Sequence, residues 1–358
     1  LRDNFQSVFS VHFDWSINIH TAVANLYRRL SDVGIDRPYL KRFVLPEWWD
    51  DTVAISDAGQ ADLCMRIARS LNLNFRDLLN PERKIEVTSG NCLFKHAKNA
   101  DAEEFRTAVS ICLEAARLAL LGTPDYREVQ DISGNQVRDE ILAVGADWPG
   151  LRELANWCWR SGVPVLHVPN FPTKAKKPDG LLLRIDGRYA IVVCKKSRFQ
   201  AWLLFILAHE MGHLIRGHLN SDTIIVDAKI GQDADASKDI QEAEASSSAI
   251  EILTGQADLR YRSATVMRSP LALASAAVRV GKKHSVEPGH IILNYSHSQG
   301  ASYFRFGNAA LKIAENGQKS GTAVLQNALV EHLEWDRLPE ESAAFLSRIT
   351  SADTTNTR

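Results

Sequence analysis

The sequence predicts an α+β fold, mostly helical, with a small mixed sheet packed on one very apolar helix and helical modules flanking it. Three observations carry this expectation. Residues 201–208 form an apolar run that leads directly into His209-Glu210-Met211-Gly212-His213. Ahead of that run stand the strand-like Val163-Pro164-Val165-Leu166-His167-Val168 and two apolar stretches, 181–185 and 188–193, joined by Asp186-Gly187. Asp-Gly is favoured in two-residue hairpin turns because both positions need positive φ. On either side, apolar residues recur at the three-to-four spacing of helices.

Taken in order, residues 1–85 read as an N-terminal helical module. Its periodic segments are 21–33, broken by Gly34, a second helix opened by Arg37-Pro38, and 57–71. The helix, glycine turn and helix around residues 26–43 carry Arg28, Arg29, Arg37, Lys41 and Arg42, so the module has the look of a degenerate helix-turn-helix. Arg37, Lys41 and Arg42 are its candidate nucleic-acid or partner-docking residues. Residues 86–135 hold a loop at Ser89-Gly90-Asn91 and a connecting helix over 102–121, closed by Gly122-Thr123-Pro124. Residues 136–260 form the expected catalytic core. Residues 261–358 are helical again, with breaks at Glu287-Pro288-Gly289 and Glu315-Asn316-Gly317 and a polar tail.

Composition narrows the class. With 358 residues and 45% hydrophobic content the chain can bury a sizeable core, and a net charge of −1 gives no global attraction to nucleic acid or to a membrane surface. The five cysteines are odd in number, scattered and without a CxxC pair, which reads as reduced thiols in a cytoplasm. The first twenty residues include Asp3 and Asp14 and no uninterrupted apolar stretch, so no secretory signal is expected. The run 201–208 is too short for a membrane span.

The HExxH string is the sharpest chemical signal. On a helix, residues four apart project from one face at neighbouring levels, so His209 and His213 can bind a single metal ion. Glu210 leans toward the same site, where it can take a proton from water rather than bind the metal. A helix this apolar is buried, and His-Glu-His in its midst is costly unless a metal or partners satisfy it. The third ligand is not in the string. The extension HExxHxxGxxH fails, with Arg216 at the glycine and Leu219 at the third histidine. His218, nine residues after His209, points to the far side if the helix continues, and is expected to be a surface or capping residue. A second helix is expected over 237–255, capped by Ser237, with Asp239 and Glu242 suited to its first turn and Gly255 to its end. It can present a carboxylate to the histidines.

These segments, together with Glu244-Ala245-x-x-x-Ala249-x-x-Ile252-Leu253, resemble the ImmA/IrrE metallopeptidases. The resemblance covers residues 150–260. It implies a zinc metalloendopeptidase in which the glutamate opening that pattern is the third ligand, and Glu244 aligns with it. Ser248 replaces the family's usual phenylalanine and Thr254-Gly255 its Met-Pro, so Glu242 and Glu251 stay open as alternatives. The implied mechanism is peptide hydrolysis with one Zn2+ held by His209, His213 and Glu244. Glu210 is the catalytic residue, passing the water proton to the leaving amine. The implied substrate is a partner helix-turn-helix repressor, cleaved to release stress, DNA-damage or phage-defence genes. The order of N-terminal module, core and helical C-terminal region looks most like the CapP branch, which pairs with a CapH repressor and responds to single-stranded DNA. The alternative class is a metal-containing DNA-binding transcriptional regulator without protease activity.

Two further expectations complete the reading. The hairpin over 181–193 is a candidate edge strand along which an extended substrate pairs. Cys92, following Ser89-Gly90-Asn91 and near Lys95 and His96, is a candidate inhibitory thiol able to reach an open metal position.

Overall fold

The run Leu181-Leu182-Leu183 does not alternate apolar with polar residues, which is the pattern of a strand covered on both faces. A computed structural model of the chain shows that arrangement. It describes residues 15–87, 92–95, 99–123, 127–219, 221–227 and 240–354, without the side chains of 15–21, 92–95 and 99–103. Asp3, Asp14, Ser89, Gly90, Asn91, His96, Ser237 and Asp239 lie outside the described residues.

Among the described residues the sheet has five strands: β1 (Cys92–Lys95), β2 (Val165–His167), β3 (Gly180–Ile185), β4 (Arg188–Val193) and β5 (Ile224–Asp227), in the order β1-β5-β3-β4-β2. β3 pairs antiparallel with β4 and β5, while β1 joins β5 and β2 joins β4 in parallel, so the sheet is mixed. Asp186 and Gly187 both have positive φ, at 50° and 76°, and close the β3–β4 hairpin as the sequence predicts. The expectation that this hairpin offers an edge does not hold. β5 and β2 cover its two sides, and the edges of the sheet are β1 and β2. The reason is that Ile224-Ile225-Val226, a short β-branched run, takes the place beside β3.

Fourteen α-helices surround the sheet among the described residues. The N-terminal part contributes α1 (Trp15–Asp32), the single turn α2 (Arg37–Tyr39), α3 (Asp57–Leu71) and α4 (Phe75–Leu79). α5 (Asn99–Leu121) contacts β2, β3 and β4 and buries Phe105, Ala108, Val109, Cys112 and Ala116. α6 (Gly134–Ala143) and α7 (Leu151–Arg160) lead to β2. α8 (Gln200–Ile215) contacts β3 and β4, and α9 (Ile240–Thr254) lies against α8. α10 (Pro270–His284), α11 (Pro288–Gln299), α12 (Phe304–Ala314), α13 (Gly321–His332) and α14 (Glu340–Thr350) complete the chain. No helix among the described residues is long and apolar enough to cross a membrane.

Among the described residues the buried apolar side chains form two clusters. The larger runs from Val23 of α1 through the sheet and α8 to Ile349 of α14, across the boundaries expected near residues 85, 135 and 260. The smaller joins α10, α11 and α12 around Leu273, Ile292 and Leu311, and meets α8 at Ala201. α8 is thus enclosed by strands and helices, as its apolar sequence requires. Its first two amides are capped from a distance, with Gln200 N and Ala201 N donating to the two carboxylate oxygens of Glu315 at 2.8 and 3.1 Å. A carboxylate there meets both the unpaired donors and the positive end of the helix dipole.

Candidate metal centre

α8 brings the two histidines together as the four-residue spacing demands. Their ring centroids are 4.9 Å apart, and the Nε2 atoms approach to 3.2 Å. α9 supplies the carboxylate, and it is Glu242: its oxygens lie 3.3 Å from His209 Nε2 and 3.3 Å from His213 Nε2. The expected ligand Glu244 stands elsewhere, with its side chain half exposed and 3.1 Å from His218 Nε2. The physical reason is helical phase. The buried stripe of α9 is Glu242, Ala245, Ala249 and Ile252, and Glu244 lies two residues, about 200°, out of step with Glu242. Glu251, the other alternative, caps α6, accepting from Gly134 N at 3.1 Å and Asn135 Nδ2 at 3.0 Å.

The helices can come this close because of a glycine inside the motif. A Cβ on Gly212 would stand 2.3 Å from the carbonyl oxygen of Ala245. A second glycine makes room for the acid: a Cβ on Gly180 of β3 would meet Glu210 Oε1 at 2.2 Å. Ser248, where the resembled family has phenylalanine, accepts from Arg216 Nε at 2.8 Å and ties the end of α8 to α9.

The sheet adds a fourth group that the sequence reading did not single out. Asp227, the last residue of β5, has Oδ2 at 3.5 Å from His209 Nε2 and 3.7 Å from His213 Nε2. One donor atom from each of His209, His213, Asp227 and Glu242 lies within 4.8 Å of all the others, and all four residues are buried. In the sequence, a β-branched run ending in an acid, Ile224-Ile225-Val226-Asp227, marks the strand but not its neighbours.

Electrostatics follow from burying three carboxylates beside two imidazoles. Burial pulls His209 down, but the neighbouring carboxylates of Asp227 and Glu242 hold it up to about 9. Burial would raise Glu242, yet the two histidines keep its carboxyl well below the usual carboxylate range. Burial, and after it the Asp227 charge, push Glu210 well above its ordinary value. Among the described residues, neither carboxylate oxygen of Glu210 or of Asp227 has a hydrogen-bond partner, although both side chains are fully buried. Buried unpaired carboxylates are costly without a positive charge nearby.

The donor set fits a divalent cation. Nitrogen and oxygen ligands about 2.0–2.1 Å from zinc at tetrahedral angles lie about 3.3–3.4 Å from one another. The His209–His213, His209–Glu242 and His213–Glu242 separations of 3.2, 3.3 and 3.3 Å match that edge, and those to Asp227, at 3.5 and 3.7 Å, are longer. Zinc suits two imidazoles and a carboxylate.

His218 also departs from expectation. α8 ends at Ile215, Gly217 takes φ of 65°, and His218 N donates to His213 O, so the chain folds back instead of continuing. His218 Nδ1 then sits 2.8 Å from His213 Nδ1.

The remaining expected residues lie away from this centre. Cys92 is the first residue of β1, opposite Ile224 and three strand positions from the Lys95–Asp227 pair, so its backbone belongs to a strand and not to the free loop expected; its side chain lies outside the described residues. The other four cysteines are free and buried. Arg37 pairs with Asp51 and stacks over Tyr27 at 5.1 Å, Lys41 is 3.6 Å from the same Asp51, and Arg42 stacks over Phe43 at 5.1 Å. Two of the three cations are thus engaged with one carboxylate of their own module.

Fold and centre together define a chain with an α+β core and a buried two-histidine, two-carboxylate candidate metal site. Compared with protein-family models, with curated proteins and with solved structures, the chain matches none.

Proposed function

We propose that this chain is a zinc-dependent endopeptidase that cleaves a partner helix-turn-helix repressor in the cytoplasm. The observation that carries the hydrolase reading is the company Glu210 keeps. A site built only to hold a metal needs His209, His213 and carboxylates; it does not need a further buried acid in a space that Gly180 leaves for it. The repressor as substrate, the release of stress or defence genes, and single-stranded DNA as an activator rest on the family resemblance.

His209, His213 and Glu242 would hold the zinc. When bound it supplies Lewis acidity, lowering the pKa of a water and polarising the scissile carbonyl. The chain's own residues do the rest. Glu210, following the first ligand, takes a proton and returns it to the leaving amine. Gly180 keeps its carboxylate unobstructed, and the enclosing helices exclude bulk water, which strengthens every charge interaction inside. His209, Glu210, His213, Asp227 and Glu242 are all buried.

The test is cleavage of candidate helix-turn-helix repressors, read by mass spectrometry, with zinc-loaded wild type and Glu210→Gln. Wild type should cut at one site, and Glu210→Gln should keep zinc and lose at least about a hundredfold in rate. Equal cleavage by both would overturn the assignment.

One observation favours a second reading, a metal-containing regulator without protease activity. Asp227 stands near a fourth corner, and four protein ligands make a closed, structural zinc site. The two readings part on whether Asp227 binds the metal.

A further inference from the structure

The buried histidine His213 is connected to the surface by a short chain of side chains that the catalytic reading does not use. Its Nε2 faces His209 and Glu242, while its Nδ1 is 2.8 Å from His218 Nδ1. His218 is buried, its ring at 68° to that of His213, and its Nε2 is 3.1 Å from Glu244 Oε2. Glu244 is half exposed.

With His218 neutral, the order of protons along this chain follows from donor and acceptor chemistry. A carboxylate only accepts, so His218 Nε2 carries the hydrogen that goes to Glu244. A neutral His218 then presents a bare Nδ1, and the 2.8 Å contact requires His213 to donate from its own Nδ1. That leaves the lone pair of His213 on Nε2, the atom that faces the other ligands. Reversing the order would put the hydrogen on Nε2 and point it at the site. His209 has a simpler counterpart, Ser246 Oγ at 3.3 Å from Nδ1. α9 therefore supplies a proposed ligand in Glu242 and, in Glu244 and Ser246, a partner for the outer nitrogen of each histidine, directly or through His218.

From this geometry we infer that His218 and Glu244 are positioning residues, a two-step relay that fixes the tautomer and ring orientation of His213 for metal binding. The inference rests on the metal reading above. Partners of this kind raise ligand basicity and typically contribute ~10–100-fold in metal affinity. It also gives Glu244 a function without making it a ligand.

The experiment measures zinc affinity by competition with a chromophoric chelator, and protonation of the ring nitrogens by 15N–1H spectroscopy of histidine-labelled, zinc-loaded protein. Wild type should show hydrogen on Nδ1 of His213 and on Nε2 of His218. His218→Phe should bind zinc ~10–100-fold more weakly, and Glu244→Ala ~10-fold more weakly. Glu244→Gln, which keeps a carbonyl acceptor, should recover most of that loss. Because Glu244 is half exposed, its variants test the relay without disturbing the core. Zinc affinity unchanged in both His218→Phe and Glu244→Ala, or hydrogen on Nδ1 of His218, would overturn the relay alone. Wild type that binds no zinc would overturn the metal reading, and the relay with it.

Discussion

Gly212 of α8 lies directly against Ala245 of α9, so closely that a Cβ at position 212 would stand 2.3 Å from the Ala245 carbonyl oxygen and 2.8 Å from its Cα. This contact sets the distance between the helix that carries the histidines and the helix that carries Glu242. Gly212→Ala should force the two apart, costing about 1–3 kcal/mol by overpacking and lowering zinc affinity at least tenfold. Denaturant unfolding and chelator competition measure both. Wild-type affinity in this variant would show that the contact does not position Glu242.

The ligand set predicts a sharp difference between two glutamates of one helix. Purified wild type should hold about one zinc per chain. His209→Ala and Glu242→Ala should fall below about a tenth of that after dialysis against weak chelator, whereas Glu244→Ala should stay near one at saturating zinc. Elemental analysis decides it. Full zinc in Glu242→Ala would return the ligand role to another carboxylate.

Asp227 discriminates hydrolase from regulator. Its contacts of 3.5 and 3.7 Å to the histidine nitrogens are longer than those of Glu242, so Asp227→Asn should keep zinc within about tenfold of wild-type affinity. Zinc lost as completely as in Glu242→Ala would mean a closed four-ligand site and would favour the regulator.

Glu287 gives a pH prediction independent of the metal. Burial raises its carboxyl to about 7, with Glu315 adding to the rise and the amides of Gly289 and His290 opposing it. The folded value is above the unfolded one of about 4.3, so the folded chain holds this proton longer and stability falls as pH climbs from about 4.3 through 7. Glu287→Gln keeps an acceptor for His290 N and removes the charge. It should be more stable than wild type by about 1–3 kcal/mol at pH 8 and indistinguishable near pH 4. Urea titrations at the two pH values test this; an equal difference at both would assign it to packing.

Arg37 and Lys41 are exposed and share Asp51. Replacing both by alanine should cost at most about 1 kcal/mol and leave zinc content unchanged. A sequence-specific, salt-sensitive DNA complex of wild type, lost in the double variant, would shift the balance to the regulator.

Local pattern was enough for much of this protein. Two histidines four apart in an apolar run specify one face of a buried helix, and Asp186-Gly187 specifies the hairpin. Gly34, Gly217 and Gly255 all take positive φ; Gly34 and Gly255 stand where the sequence marks helix ends. Even the choice of Glu242 was legible, since 242, 245, 249 and 252 share one helical stripe, but the resembled motif pointed to Glu244 instead. Other features depended on contacts between distant segments. Asp227 reaches the histidines because β5 inserts beside β3, and nothing local in Ile224-Ile225-Val226-Asp227 names its neighbours. His218 returns to His213 because α8 stops at Ile215, and Glu244 becomes its partner only when α9 packs on α8. Helical periodicity places side chains on a face, a property of a few consecutive residues. Which faces meet, and in what register, is decided by packing across the whole core.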